Sequence, residues 1–90
     1  MNEKTFQRIK ELTELQGTSG FEHEVRAYMR DAMTPLVDRV EQDGLGGIFG
    51  IREHENADAP RIMVAAHMDE VGFMVTQITD RGLFKVTPLG

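Results

Sequence analysis

Ninety residues with a net charge of −5, 40% of them hydrophobic and 28% charged, make one small domain of ordinary globular composition. No basic run or stripe is present, which argues against nucleic acid and against an anionic membrane surface as partners. Cysteine is absent, and with it disulfides, thiolate metal sites and cysteine nucleophiles.

The N-terminus reads Met1-Asn2-Glu3-Lys4 with no apolar stretch behind it, so no secretory signal is expected and the cytoplasm is the default compartment. Phe6, Ile9, Leu12 and Leu15 recur at every third position between charged residues, the pattern of an amphipathic helix with a narrow apolar stripe. Asn2 suits its N-cap and Gly17 its stop. Ser19-Gly20-Phe21-Glu22 fits a capping box, and the helix it opens carries Phe21, Val25, Met29, Ala32, Met33 and Leu36 on one face. Pro35 should end that helix near Thr34.

Val37 to Gln42 and Ile48 to Arg52 read as short strands around the turn Asp43-Gly44, with a polar loop from Glu53 to Pro60. Ile62-Met63-Val64-Ala65-Ala66 is the longest apolar run, far too short to span a bilayer. Its lack of alternation predicts a strand buried on both faces. Phe73 to Thr79, the turn Asp80-Arg81-Gly82 and Leu83 to Thr87 predict a hairpin, with Gly82 at a left-handed position.

Chemistry concentrates where the apolar run gives way to His67-Met68-Asp69-Glu70. In extended backbone, residues two apart face the same side, so His67 and Asp69 can share a pocket at a sheet rim. A neutral imidazole suits zinc, cobalt or manganese, and a carboxylate behind it can fix its tautomer. His-x-Asp alone is a weak pattern. A strand-end histidine bonded to a nearby acid fits it as well, and the residues alone leave both readings open. His23-Glu24 opens like the helical zinc motif, but position 27 is Ala, and His54 lies between two glutamates in the polar loop. The glycines at 44, 46 and 47 lack the lysine of a phosphate loop. The methionines fit core packing, and Ser19 fits a cap better than a nucleophile.

Three segments in order, Gly17-Thr18-Ser19-Gly20-Phe21-Glu22, Asp43-Gly44-Leu45-Gly46-Gly47 and Ala65-Ala66-His67-Met68-Asp69-Glu70-Val71-Gly72-Phe73, resemble the tetrahedral aminopeptidases, most closely their glutamyl aminopeptidase branch. Gly47 stands where many relatives carry Asn, which marks the branch. The resemblance implies an α/β fold. Residues 1–72 would be the N-terminal part of a zinc-peptidase-like catalytic domain of two helices and a mixed sheet. Residues 73–90 would open an inserted β-rich oligomerisation domain. It implies two divalent metal ions, zinc or cobalt, per complete subunit. His67 would be a metal ligand and Asp69 the acid that orients it. Substrates would be peptides losing N-terminal, glutamyl or aspartyl, residues, and subunits would form a homo-oligomer of dimers building a larger shell.

The bridging aspartate, the glutamate general base and the remaining ligands of that family would lie further along. The chain is therefore expected to be an incomplete enzyme, inactive alone. The alternatives are a non-catalytic assembly or binding module, or a related dinuclear aminoacylase or carboxypeptidase.

Overall fold

The computed structural model describes all ninety residues. Helix α1 spans Glu3–Glu14, where the Thr5 backbone N–H donates to Asn2 Oδ1 at 2.8 Å, the expected N-cap. It ends at Leu15, whose extended backbone closes it two residues before Gly17. Helix α2 spans His23–Met33 and passes into a 3₁₀ turn, Thr34–Leu36, that holds Pro35 near its start.

The α2 start departs from the expected capping box. Thr18 to Phe21 forms a tight turn instead, with Gly20 at φ +88° and the Phe21 N–H donating to Thr18 O at 2.8 Å. Glu22 turns back to accept from the Gly20 N–H, and Ser19 caps nothing. A left-handed residue at position 20 puts the helix start beyond the reach of Ser19.

Strands β1, Arg39–Gln42, and β2, Ile48–Ile51, pair antiparallel, as do β3, Gly72–Ile78, and β4, Phe84–Leu89. Parallel pairing is confined to one bridge, Thr18 with Glu70. The β1–β2 turn is held by Asp43, whose Oδ1 accepts from Leu45 N–H (2.9 Å) and Gly47 N–H (2.7 Å). Gly46, at φ +92°, brings its carbonyl to Arg26 Nε at 2.7 Å and so ties the turn to α2. Gly82, at φ +79°, occupies the left-handed position expected of the β3–β4 turn.

In β3 the register shifts between Val75 and Gln77, leaving Thr76 as an extra residue whose hydroxyl donates to Lys85 O at 3.1 Å. Residues directly opposite share a face. The shift therefore collects Phe73, Val75 and Ile78 with Pro88, Val86 and Phe84 on one apolar face.

The segment Ile62–Ala66 is not a strand: it has no ladder partner, and Ile62 and Val64 are 87% and 94% exposed. A two-face-buried strand needs a neighbour on each edge and cover above and below, and no element of these ninety residues supplies either. Only Gly17, Val25 and Gly46 are buried. The radius of gyration is 17.9 Å, against about 12 Å for a compact domain of this length.

Candidate metal-binding loop

His67 and Asp69 lie on the irregular stretch between the apolar run and β3. The structure brings them together. His67 Nδ1 is 3.0 Å from Asp69 Oδ1 and 2.9 Å from the Asp69 main-chain oxygen. Both oxygens only accept, so in the neutral ring the hydrogen sits on Nδ1 and donates to Asp69. The Nε2 lone pair is then free on a side chain 85% exposed, while Asp69 is half-buried at 36%. His54 is the reverse case. Its Nδ1 accepts the Asn56 N–H at 2.9 Å, which leaves that nitrogen engaged with its own loop. His23 opens α2 with no partner that would orient its ring for a ligand.

The donor set suits one metal contact and not a whole site. An imidazole with its hydrogen fixed on Nδ1 presents Nε2 in the form zinc and cobalt prefer. No three His, Asp or Glu side chains converge as a metal-binding group. Glu70 is exposed and points its main chain, not a shared ligand geometry, into the structure. Its N–H donates to Gly17 O at 2.7 Å. An open groove of about 280 Å³ runs beside this contact, lined by Gln16, Gly17, Thr18, Phe21, Glu70 and Phe73.

Gly17, expected as the stop of α1, is a packing point in the structure. A Cβ there would meet Val25 Cγ2 at 2.8 Å and Met68 O at 3.7 Å. The available signal was the pair of glycines, 17 and 72, bracketing the two segments that meet.

Comparison with known proteins supplies the family. The family model described as M42 glutamyl aminopeptidase matches residues 46–90, half of the chain, and a second, described as AMPT, matches residues 3–29. A glutamyl aminopeptidase of Lactococcus lactis subsp. cremoris is 56% identical over 85 residues, which cover 94% of this chain and 24% of that protein. The crystal structure of a TET aminopeptidase from the marine sediment archaeon Thaumarchaeota archaeon SCGC AB-539-E09 superposes with a TM-score of 0.82. It is 41% identical, over 98% of this chain and 24% of that one. A Thermotoga maritima protein named as an endoglucanase superposes with a TM-score of 0.78. It is 36% identical, over 90% of this chain and 26% of that one. The chain thus spans about a quarter of the length of the proteins it matches. It belongs to the M42 glutamyl aminopeptidase family.

Proposed function

We propose that these residues are the opening part of a metal-dependent aminopeptidase that removes N-terminal residues, acidic ones by preference, from peptides. Residues 1–72 belong to its catalytic domain, and residues 73–90 begin an inserted β-rich domain through which subunits assemble into a homo-oligomeric shell. The enzyme works in the cytoplasm with two divalent ions, zinc or cobalt. The observation that carries the reading is the His67–Asp69 pair: a ring hydrogen held on Nδ1 by two acceptors and an exposed, unengaged Nε2. Family membership supplies the reaction class, and the 56% identity to a glutamyl aminopeptidase supports the acidic preference.

His67 is the residue that would hold a metal ion, through Nε2. When bound, such ions supply Lewis acidity toward the scissile carbonyl and ready a water for attack at neutral pH. Asp69 keeps the imidazole in one tautomer and one orientation and raises its basicity as a donor. The other ligands and the general base would come from other parts of the protein.

The endoglucanase name of one structural relative raises glycoside cleavage as an alternative. That chemistry needs two carboxyl groups facing one bond about 5–9.5 Å apart. Here the Asp69 carboxylate is turned onto His67, the posture of a group that orients an imidazole.

The test uses the full-length protein with glutamyl, alanyl and lysyl chromogenic amides and carboxymethylcellulose, with and without chelator. We expect chelator-sensitive hydrolysis of the glutamyl amide above the others and none of the polysaccharide. His67→Ala should abolish turnover and empty at least one metal site, and Asp69→Asn should weaken metal affinity or activity roughly 10–100-fold. Unchanged metal content and turnover in His67→Ala would remove the assignment.

A further inference from the structure

His67 lies on a segment with no helix or ladder of its own, so something else must fix its position. The contacts converge on residues 16–18. The Gln16 N–H donates to Glu24 Oε2 at 2.9 Å, which ties the stretch to α2. Gly17 is buried against Val25, and its carbonyl accepts the Glu70 N–H at 2.7 Å. Thr18 bridges Glu70 in parallel. At the next turn of contact, a Cβ built on Gly72 would land on Thr18 Cγ2. Gly17 and Gly72 do not have positive φ, so glycine is required at neither by backbone conformation. Close approach is what requires it: the two segments run nearer than side chains on both would permit.

We propose that Thr18 is a positioning residue for the His67 imidazole. With Gly72 it forms a clamp that fixes the 67–72 loop onto α2 before any metal arrives. The proposal rests on the reading of His67 as a metal ligand. Glu70, three residues from His67, is hydrogen-bonded to Gly17, and Gly72 is seated on the Thr18 methyl. Between these two fixed points and the ring stands only Met68-Asp69, and Asp69 is itself bonded to the ring. A side chain at position 72 would push the loop off Thr18, open the Glu70 bridge and carry the His67–Asp69 pair with it. Site geometry held by such support governs metal affinity even though Thr18 touches no metal.

The experiment titrates cobalt into the full-length apoprotein and reads its visible absorption bands, with thermal midpoints as a check on folding. Gly72→Ala should weaken cobalt binding and alter the bands, by ~10-fold in affinity if the loss matches that of other outer-sphere supports. Thr18→Ser, which deletes only the methyl under Gly72 and keeps the main-chain bridge to Glu70, should weaken cobalt binding by less than Gly72→Ala does. The double variant Gly72→Ala/Thr18→Ser should recover the affinity and spectrum of Thr18→Ser, and Gly72→Ala/Thr18→Val, which keeps the methyl, should not. Wild-type binding by Gly72→Ala, recovery by both double variants or recovery by neither would overturn the clamp. His67→Ala run in parallel separates the two readings. If it binds cobalt undiminished, the ligand assignment fails. If it loses cobalt while Gly72→Ala is indifferent, only the clamp fails. Should Gly72→Ala not fold, amide exchange of Glu70 in the wild-type apoprotein decides. Protection without metal upholds the clamp, and free exchange until cobalt is added overturns it.

Discussion

Residues 1–52 and residues 61–90 are built on different terms. In the first stretch, side chains cross from element to element. Arg26 reaches the Gly46 carbonyl, the Tyr28 hydroxyl donates to Glu11 at 2.7 Å, and Arg30 donates to Gln42 at 3.0 Å. All three buried residues are there. In the second stretch the hairpin ladder is complete along β3 and β4, yet Phe73, Val75, Ile78, Phe84 and Val86 remain exposed. Backbone pairing and apolar burial are thus separate achievements. A turn and a register suffice for the first, while the second needs another layer of structure.

That contrast can be broken at three places. The largest effect is expected at Val64 in the full-length protein. If the 62–66 run is a covered strand there, Val64→Ser should cost about 2 kcal/mol, from the lost apolar burial and the desolvated hydroxyl. In the ninety-residue chain, where Val64 is open, the same change should stay within about 0.5 kcal/mol. Denaturation midpoints of both proteins check it, and equal small effects would mean the run stays open. Val25→Ala comes next: losing two buried methyl groups should cost about 1.5 kcal/mol in either protein. A neutral result would place the first stretch on the same footing as the second.

The smallest effect is at Tyr28. Its hydroxyl, followed by the Gln7 amide, holds the Glu11 carboxyl below the usual carboxylate range, and Glu11 in turn pushes the Tyr28 hydroxyl up. A depressed carboxyl contributes stability that is present above its unfolded pKa and is lost as pH falls through its folded value. A raised phenol contributes stability that is present below its unfolded pKa and is lost as pH climbs through its folded value. Both shifts report one bond, which weakens once Glu11 is protonated, so Tyr28→Phe should be slightly destabilising at neutral pH and the difference should shrink in strong acid, a convergence that melts across a pH series would show.

Local structure was legible where one residue's chemistry decides it. Asn2 caps α1, Pro35 ends α2, and Gly82 takes the left-handed turn position, each for reasons internal to a few residues. The His67–Asp69 contact was legible too, because two-residue spacing alone brings the groups to one side. Ile62–Ala66 was misread as a strand because apolar composition reports what a segment needs, whereas a strand exists only with its neighbours. Ser19 was misread as a cap because the left-handed turn at Gly20 is a tertiary fit, made as the 16–18 stretch meets Glu70. The contact of Thr18 with Gly72 joins positions 54 residues apart in the chain (72 − 18), and no local pattern encodes it.

The extra residue in β3 has a consequence at the level of the gene. Thr76 is exposed and its hydroxyl makes one bond to Lys85 O, so many codons at that position would serve. Losing the codon altogether would also be absorbed. Without Thr76, plain alternation places Phe73, Val75 and Ile78 on one side and Met74 and Gln77 on the other, so Val75 still faces Val86, Ile78 still faces Phe84, and the apolar face stays whole. Position 76 should accordingly vary freely in identity and admit a one-residue gap, a pattern in which the pairing of its neighbours, not the extra residue, is the conserved quantity.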